Sequence, residues 1–319
     1  MKRGVSVVIC CYNSDWIINR TLHALKNQIL DVQIPYEVIL VNNRCDDNTV
    51  EIAECAMKEG VVDFRIVDEP RPGLAFARRK GICEAKYEYV IYCDDDNLLC
   101  QDYVSKMVDL LDKMPWVGAI GGMGIAEFKS EPAKIVLDNL ESYAVGSQKG
   151  HQDYLFGAGL ALRTQLVKEI YEKQRCYLMG RTGSELLSGD DTELVLSVQL
   201  RGYMIYATDS IFFTHVLKSN RLSENYYKKL LKGLSLPGPV FAVMRAVLHD
   251  KTFKDALQDY FWFYYQYLKC CVLWWTPTSK QIYDIAKSKT NDLRYWGIIR
   301  LYIIYRQWSR IKKKSKISQ

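Results

Sequence analysis

Residues 89–97 read Tyr-Val-Ile-Tyr-Cys-Asp-Asp-Asp-Asn. A β-branched and aromatic run passes directly into three acids. The run reads as a strand buried on both faces, and the acids mark where that strand ends. Carboxylates at the end of a buried strand are costly unless a positive charge compensates them. A divalent cation is the natural partner. Asp94 and Asp96, two apart, point the same way if strand geometry persists through them. Oxygen ligands with no Cys or His in the run favour Mg²⁺ or Mn²⁺ over zinc. The plain alternative is a solvated acidic turn leading into the next helix.

Upstream of this strand the chain alternates. Residues 5–11 (VSVVICC), 36–41 (YEVILV) and 63–67 (DFRIV) read as strands, and residues 14–27, 49–58 and 74–85 as helices. Downstream, residues 102–113 read as a helix and 117–121 as a strand. This alternation predicts an α/β fold with a doubly wound, mostly parallel sheet. Right-handed crossovers then gather the strand C-termini on one edge, where ligands bind. After residue 127 the pattern is irregular, with a helix at 192–199 and two strands, 203–206 and 211–214. From Glu224 onward it is helical and rich in Tyr, Trp and Phe, with Pro237, Gly238 and Pro239 as a break. The expected division is a catalytic domain over 1–222 and a helical appendage over 223–319.

Three further strings carry polar chemistry. Residues 187–194 (LSGDDTEL) put Asp190 and Asp191 at a helix start. They read as an N-cap with favourable dipole charges, or as crowded carboxylates that keep one poised as a general base. Residues 71–81 (RPGLAFARRKG) combine small residues, which let a helix pack closely on the sheet, with an Arg/Lys cluster that could meet phosphate or an acidic site wall, or form the solvated face of an ordinary amphipathic helix. Residues 41–49 (VNNRCDDNT) set amides and acids after the second strand, as a ligand contact or as an Asx-turn. His215 follows a strand-like run and reads as a metal ligand or a core histidine.

In order and context these strings resemble the family-2 glycosyltransferases, whose GT-A fold binds nucleotide sugars. The resemblance runs from Val5 to about His215, roughly two thirds of the chain. The opening strand ends on the family's aromatic–Asn step at Tyr12 and Asn13, with Cys10 and Cys11 in place of a Pro-containing pair. Asn42 stands where Asp is common as a contact to the nucleotide base. Ala77 and Arg78 match a helix carrying Ala-Arg-Asn, with Arg79 in place of Asn. Asp94, Asp95 and Asp96 resemble the Asp-x-Asp motif. Residues 156–163 (FGAGLALR) resemble an acceptor-side Gly segment, and Gly189, Asp190 and Asp191 a Gly-Glu-Asp step. The resemblance implies donor-site roles for Tyr12, Asn13, Asn42, Asn43, Asp47, Arg78, Asp94, Asp95 and Asp190. It further implies Mg²⁺ or Mn²⁺ held by Asp94, Asp96 and His215, and Asp191 as the catalytic base of an inverting transfer. The implied partners are a nucleotide-diphosphate sugar, UDP-linked by preference, and a glycan or lipid-linked acceptor.

Composition narrows the alternatives. The chain has 319 residues, 49% hydrophobic and 25% charged, which excludes a disordered protein. Arg306, Arg310, Lys312, Lys313, Lys314 and Lys316 account for the whole excess of 43 basic over 37 acidic residues. A neutral body with a basic tail argues against nucleic acid as a partner. Ten cysteines without a Cys-x-x-Cys pair read as reduced thiols in a cytoplasmic protein. Residues 5–11 read as a strand rather than a leader, and no run of 18 apolar residues is present. At 100° per residue, residues 293–311 gather Leu293, Tyr295, Ile298, Leu301, Tyr302, Ile304, Tyr305 and Trp308 on one side, with Arg300, Arg306, Gln307 and Arg310 on the other. With the basic tail, this fits either a helix on an anionic membrane surface, peripherally on the inner face of the cell membrane, or a helix packed on the catalytic domain with a disordered tail. Residues 260–275 read as a second interfacial or acceptor-cradling helix. A sugar nucleotidyltransferase would carry a Gly-rich basic loop after the first strand, where Tyr12, Asn13, Ser14 and Asp15 stand. A non-catalytic nucleotide-sugar-binding module would not need both acidic strings.

Overall fold

The computed structural model describes residues 1–30, 34–58, 62–174, 176–178, 180–181, 186–272 and 280–317. They form two compact units: residues 1–199 with 203–232, and residues 200–202 with 233–319.

The first unit is built on an eight-stranded sheet. Its strands are β1 (Lys2–Cys11), β2 (Tyr36–Asn42), β3 (Asp63–Asp68), β4 (Tyr87–Asp94), β5 (Asn97–Leu99), β6 (Val117–Phe128), β7 (Ala161–Arg163) and β8 (Met204–Leu217), in the order β3-β2-β1-β4-β7-β6-β8-β5. The pairs β3–β2, β2–β1, β1–β4 and β6–β8 are parallel. β7 lies antiparallel between β4 and β6, and β5 antiparallel beside β8. Helices α1 (Ile18–Lys26), α2 (Thr49–Met57), α3 (Leu74–Glu84), α4 (Tyr103–Lys113), α5 (Lys134–Leu137), α6 (Thr164–Lys173), α7 (Asp190–Leu200) and α8 (Glu224–Ser235) complete the chain to residue 235.

The alternation of side chains along each strand explains why both faces of the sheet are covered. Val7, Ile9, Val38, Leu40, Ile91 and Cys93 point into one core with Ile18 and Leu22 of α1, Ala53 of α2 and Met107 and Val108 of α4. Val8, Ile39, Val41, Val90 and Tyr92 point into the other with Ala77 and Ile82 of α3, Val167 of α6 and Val195 of α7. Each fully buried aliphatic side chain of this kind contributes roughly 1.5–3 kcal/mol. A Cβ on Gly81 would stand 2.2 Å from Val8, so the small residues of α3 do allow close packing on β1.

Four expectations are corrected. The strands at 203–206 and 211–214 are one strand. Gly121 pairs with Ala207 and Met123 with Phe212, so the polar stretch after Ala207 is a bulge within that strand. The strand at 117–121 runs on to Phe128, because its glycines let residues 144–146 approach, with Gly124 bridged to Gly146. The short β5 and β7 carried too little hydrophobic pattern to be read. Finally, β4 ends at Asp94 and a turn follows, so strand periodicity does not extend to Asp96.

The second unit contains α9 (Gly238–Leu248), α10 (Phe253–Val272), α11 (Lys280–Trp296) and α12 (Ile298–Ile317). Pro237 caps α9, where a missing N–H costs nothing. Lys312 donates to the carbonyls of Val247 and Leu248 at the end of α9 and pairs with Asp250. The basic tail is therefore helix through Ile317. Leu301, Ile304 and Trp308 are fully buried, whereas Ile298 and Tyr302, expected on the same side, are exposed. The tryptophans Trp274 and Trp275 of the expected helix at 260–275 lie outside the described residues. Residues 224–248 are apolar and long enough to cross a membrane by length and composition, and 44% of their most apolar 18-residue window is buried within the chain.

Candidate active site

β1, β2 and β4 end side by side, with Cys11 opposite Asn42 and Cys10 opposite Asp94. The residues just beyond these ends form the site, as expected for such sheets. At its centre is Arg78 on α3, only 4% exposed. Its Nη1 donates to Asp190 Oδ2 at 2.6 Å and its Nη2 to Asp94 Oδ1 at 3.5 Å. Burial would strip its charge, but the attraction of Asp190, Asp94 and Asp191 outweighs this and holds the guanidinium well above the ordinary arginine range. Asp191 accepts from the amides of Thr192 at 2.7 Å and Gly157 at 3.1 Å. Burial and then Asp190 push its carboxyl up, against the pull of Arg78 and those amides. A proton acceptor with raised affinity at the head of a helix is suited to general-base work.

Gly157 serves two neighbours. Its amide holds Asp191, and a Cβ there would lie 2.3 Å from Arg78 Nη2. Any larger residue would displace the guanidinium. The FGAG string at 156–159 thus contributes by backbone and by the absence of a side chain.

The acids after Asp94 diverge. Asp95 accepts from the Ser14 hydroxyl and, at 3.5 Å, from the Tyr12 amide. Burial and repulsion from Asp96 push its carboxyl up to about 7. Asp96 is 3% exposed and pairs with Arg221 Nη1 at 2.8 Å. Burial would raise its pKa, yet His215 and Arg221 hold it well below the carboxylate range. The ring of His215 donates from Nδ1 to the Tyr143 carbonyl at 2.7 Å. Its buried Nε2 makes no hydrogen bond and stands 3.4 Å from Asp96 Oδ1. A protonated ring pairs there with Asp96; a neutral ring with its proton on Nδ1 sets a lone pair against the carboxylate, and that arrangement has the chemistry of a cation site. Among the described residues no three His, Cys, Asp or Glu side chains gather for a metal. Asp94 has turned to Arg78, and Asp96 and His215 stand apart from it.

The first-strand and second-strand loops interlock. Asn13 donates to Asp46 Oδ1 at 2.5 Å and accepts its amide at 3.0 Å. Asn42 donates to Asp68 and accepts from the Cys45 amide. Asn43 is buried, donating to the carbonyls of Glu69 and Arg71 and accepting from the Gly73 amide, so it brackets the entry to α3. Asp47 accepts from Thr49, at both amide and hydroxyl, and from the Asp15 amide. Burial opposes these hydrogen bonds, which nonetheless lower its pKa. Tyr12 remains 55% exposed at the rim.

Sequence reasoning missed Arg221, Ser14 and Glu193. Arg221 lies beyond the last recognisable string, and only its sixth place after His215 could have drawn notice. Glu193 is 2% exposed and accepts the amides of Tyr177 and Leu178. Burial pushes its carboxyl up to about 8 against those hydrogen bonds.

Strand-end acids, a buried arginine and a second acidic pair thus meet at one edge of the sheet. The sequence model of "Glycosyl transferase family 2" matches residues 6–171, and the chain belongs to that family. A poly-beta-1,6-N-acetyl-D-glucosamine synthase of Staphylococcus epidermidis is 35% identical over 121 residues, which cover 37% of this chain and 28% of that protein. The synthase of Staphylococcus aureus strain COL is 29% identical over 210 residues, 63% of this chain and 47% of that protein. The chain thus spans between 28% and 47% of the length of these curated relatives. The crystal structure of S. aureus TarS 1-349 is similar in fold, with a TM-score of 0.54 and 13% identity, covering 99% of this chain and 92% of that one. The mannosyltransferase PcManGT from Pyrobaculum calidifontis, in complex with GDP-Man and Mn²⁺, gives a TM-score of 0.55 at 16% identity, over 99% of this chain and 86% of that one. The GT-A fold is shared.

Proposed function

We propose that the chain transfers a sugar from a nucleotide-diphosphate donor to a hydroxyl of a glycan or lipid-linked acceptor, with inversion, as in cell-surface polysaccharide synthesis. The observation that carries this reading is the Arg78 bridge: one buried guanidinium ties Asp94, at the end of β4, to Asp190, beside Asp191. Donor-side and base-side acids thereby belong to one charge network.

In the proposed reaction Asp191 takes the proton of the acceptor hydroxyl, and its raised proton affinity supports this role. The acceptor oxygen attacks the anomeric carbon as the bond to the diphosphate breaks. Arg78 holds the acids in place, and Gly157 keeps Asp191 oriented. Tyr12, Asn13, Asn42, Asn43, Asp47 and Asp95 shape the nucleotide side, with Asn43 and Asp47 acting through the loops they hold. Asp96 and His215, joined by Asp94 only if it leaves Arg78, would hold Mg²⁺ or Mn²⁺, which would supply positive charge to the leaving diphosphate. The orphaned Nε2 of His215 beside Asp96 supports the fit. Bringing donor and acceptor together removes much of the entropic barrier.

UDP is the preferred nucleotide. Structures similar in fold bind UDP-GlcNAc and UDP, and relatives are named for N-acetylglucosamine polymers. Residues 1–222 would carry the chemistry, and 223–319 would meet an acceptor-bearing membrane on its cytoplasmic side. The test is a melting series with UDP-GlcNAc, GDP-mannose and a dTDP-sugar, with and without Mn²⁺. Ligand at a hundred times its Kd stabilises the native state by about 2.7 kcal/mol. UDP-GlcNAc with Mn²⁺ should raise the melting temperature most and release UDP slowly. Release of pyrophosphate would mark a nucleotidyltransferase instead.

A further inference from the structure

The exposed face of α12 changes character along its length. Ile298, Ile299, Tyr302 and Ile303 come first, with Ile299 80% exposed, and Arg306, Arg310 and Lys313 follow. At about 100° per residue all seven fall within an arc of about 140°. Leu301, Ile304 and Trp308 on the opposite side are fully buried, and Lys312 is pinned to the end of α9. Leu293, Leu301, Ile304 and Trp308 of the apolar stripe anticipated from the sequence are therefore consumed by packing, whereas Tyr295, Ile298 and Tyr302 stay exposed. A second apolar patch, invisible as a separate stripe, is left outside, continuous with cations. No acid occurs between Leu293 and Gln319.

We propose that this face docks on an anionic lipid bilayer, with the isoleucine half of α12 entering the acyl boundary and the cationic half lying among the headgroups. The occupant follows from charge and composition. All charges on the face are positive, so two copies set parallel would repel, and antiparallel copies would seat cations on isoleucines. An anionic bilayer offers an apolar layer beneath a negative one, matching the order met along the helix. Tyr302 suits the boundary, with an apolar ring and a polar tip, and Arg306 lies over that ring at 5.8 Å and donates to its hydroxyl. From Ile299 to Lys313 the helix rises about 21 Å, long enough for its two halves to sit at different depths. This deepens the membrane placement proposed above and rests on it, while remaining independent of the donor chemistry.

The experiment is sedimentation of the full chain with vesicles of phosphatidylglycerol and phosphatidylcholine in equal parts, against pure phosphatidylcholine. The wild type should bind the anionic vesicles preferentially and detach as salt rises. The variant R306Q/R310Q/K313Q should bind about a hundredfold more weakly, at about fivefold per cation. Ile299→Ser with Ile303→Ser should also lose binding, tested at equal melting temperature since both positions face solvent. Hydrolysis of UDP-sugar, measured on the same samples, should be unchanged in both variants, which separates failure of docking from failure of the transferase reading. Equal binding to neutral vesicles, unchanged binding of the charge variant, or self-association abolished by the isoleucine changes would each overturn the proposal.

Discussion

Asp94 and Asp96 stand two residues apart, and each faces an arginine, yet their surroundings differ. Arg78 is 4% exposed and spent on carboxylates, with Gly157 leaving no space beside it. Arg221 is 28% exposed, and the partner it shares with His215 leaves a ring nitrogen unsatisfied. The first knot spends both terminal nitrogens of its arginine on acids, although the buried Arg78 Nε has no hydrogen-bond partner among the described residues either. Removing Arg78 would leave its buried acids uncompensated. The second has a carboxylate that can trade one positive partner for another. A site that must stay rigid while admitting a charged ligand needs both kinds, and the turn after Asp94 separates them.

The comparison can be broken most sharply at Asp191. Asp191→Asn should lower transfer by about 10²–10⁴-fold. The donor-induced rise in melting temperature should persist, because the amide keeps the shape. Near-normal turnover would remove Asp191 from the chemistry and detach the closed knot from catalysis. Next in size is Arg78→Met. With Asp94, Asp190 and Asp191 left facing one another, urea unfolding should show a loss of about 3–5 kcal/mol. A neutral result would mean that Arg78 fills space rather than balancing charge.

On the open side, His215→Gln should weaken Mn²⁺-dependent stabilisation by UDP by at least the ~10–100-fold that loss of even a supporting outer partner costs. Unchanged Mn²⁺ titration would leave Asp96 and Arg221 as a purely structural pair. The smallest effect concerns Glu193, whose carboxyl is raised from the ordinary 4.5 to about 8. A raised acid favours its protonated form in the fold. Its contribution is full below the ordinary value and is lost as pH rises through the folded one. The melting temperature of the wild type should therefore fall more steeply than that of Glu193→Gln between about pH 5 and 9. Parallel curves would show that Glu193 stays ionised.

Much of this was legible without coordinates. The alternation of apolar runs with polar helices gave β1 to β4, because a strand buried on both faces needs continuous hydrophobicity and says so in the sequence. The acids at 94–96 and 190–191 announced a site by their cost. Less was legible where a residue's meaning depends on distant neighbours. The bulge after Ala207 split one strand into two in the sequence, because its polarity could not reveal that β6 runs beside it. Asn43 looked like a ligand contact, yet its hydrogen bonds go to residues 69–73. The periodicity of residues 293–311 showed amphipathic helix, but neither the break at Gly297 between α11 and α12 nor which apolar residues would be consumed by packing.

Composition and local pattern settled the fold class, the strand ends and the identity of the acids, since these depend on burial and periodicity within a few residues. Tertiary structure alone decided which arginine each acid meets. Arg78 and Asp190 are separated by 112 positions, and Asp96 and Arg221 by 125. Such pairings arise only when the sheet and its crossovers bring the segments together, because Coulomb attraction acts through space and carries no trace along the chain.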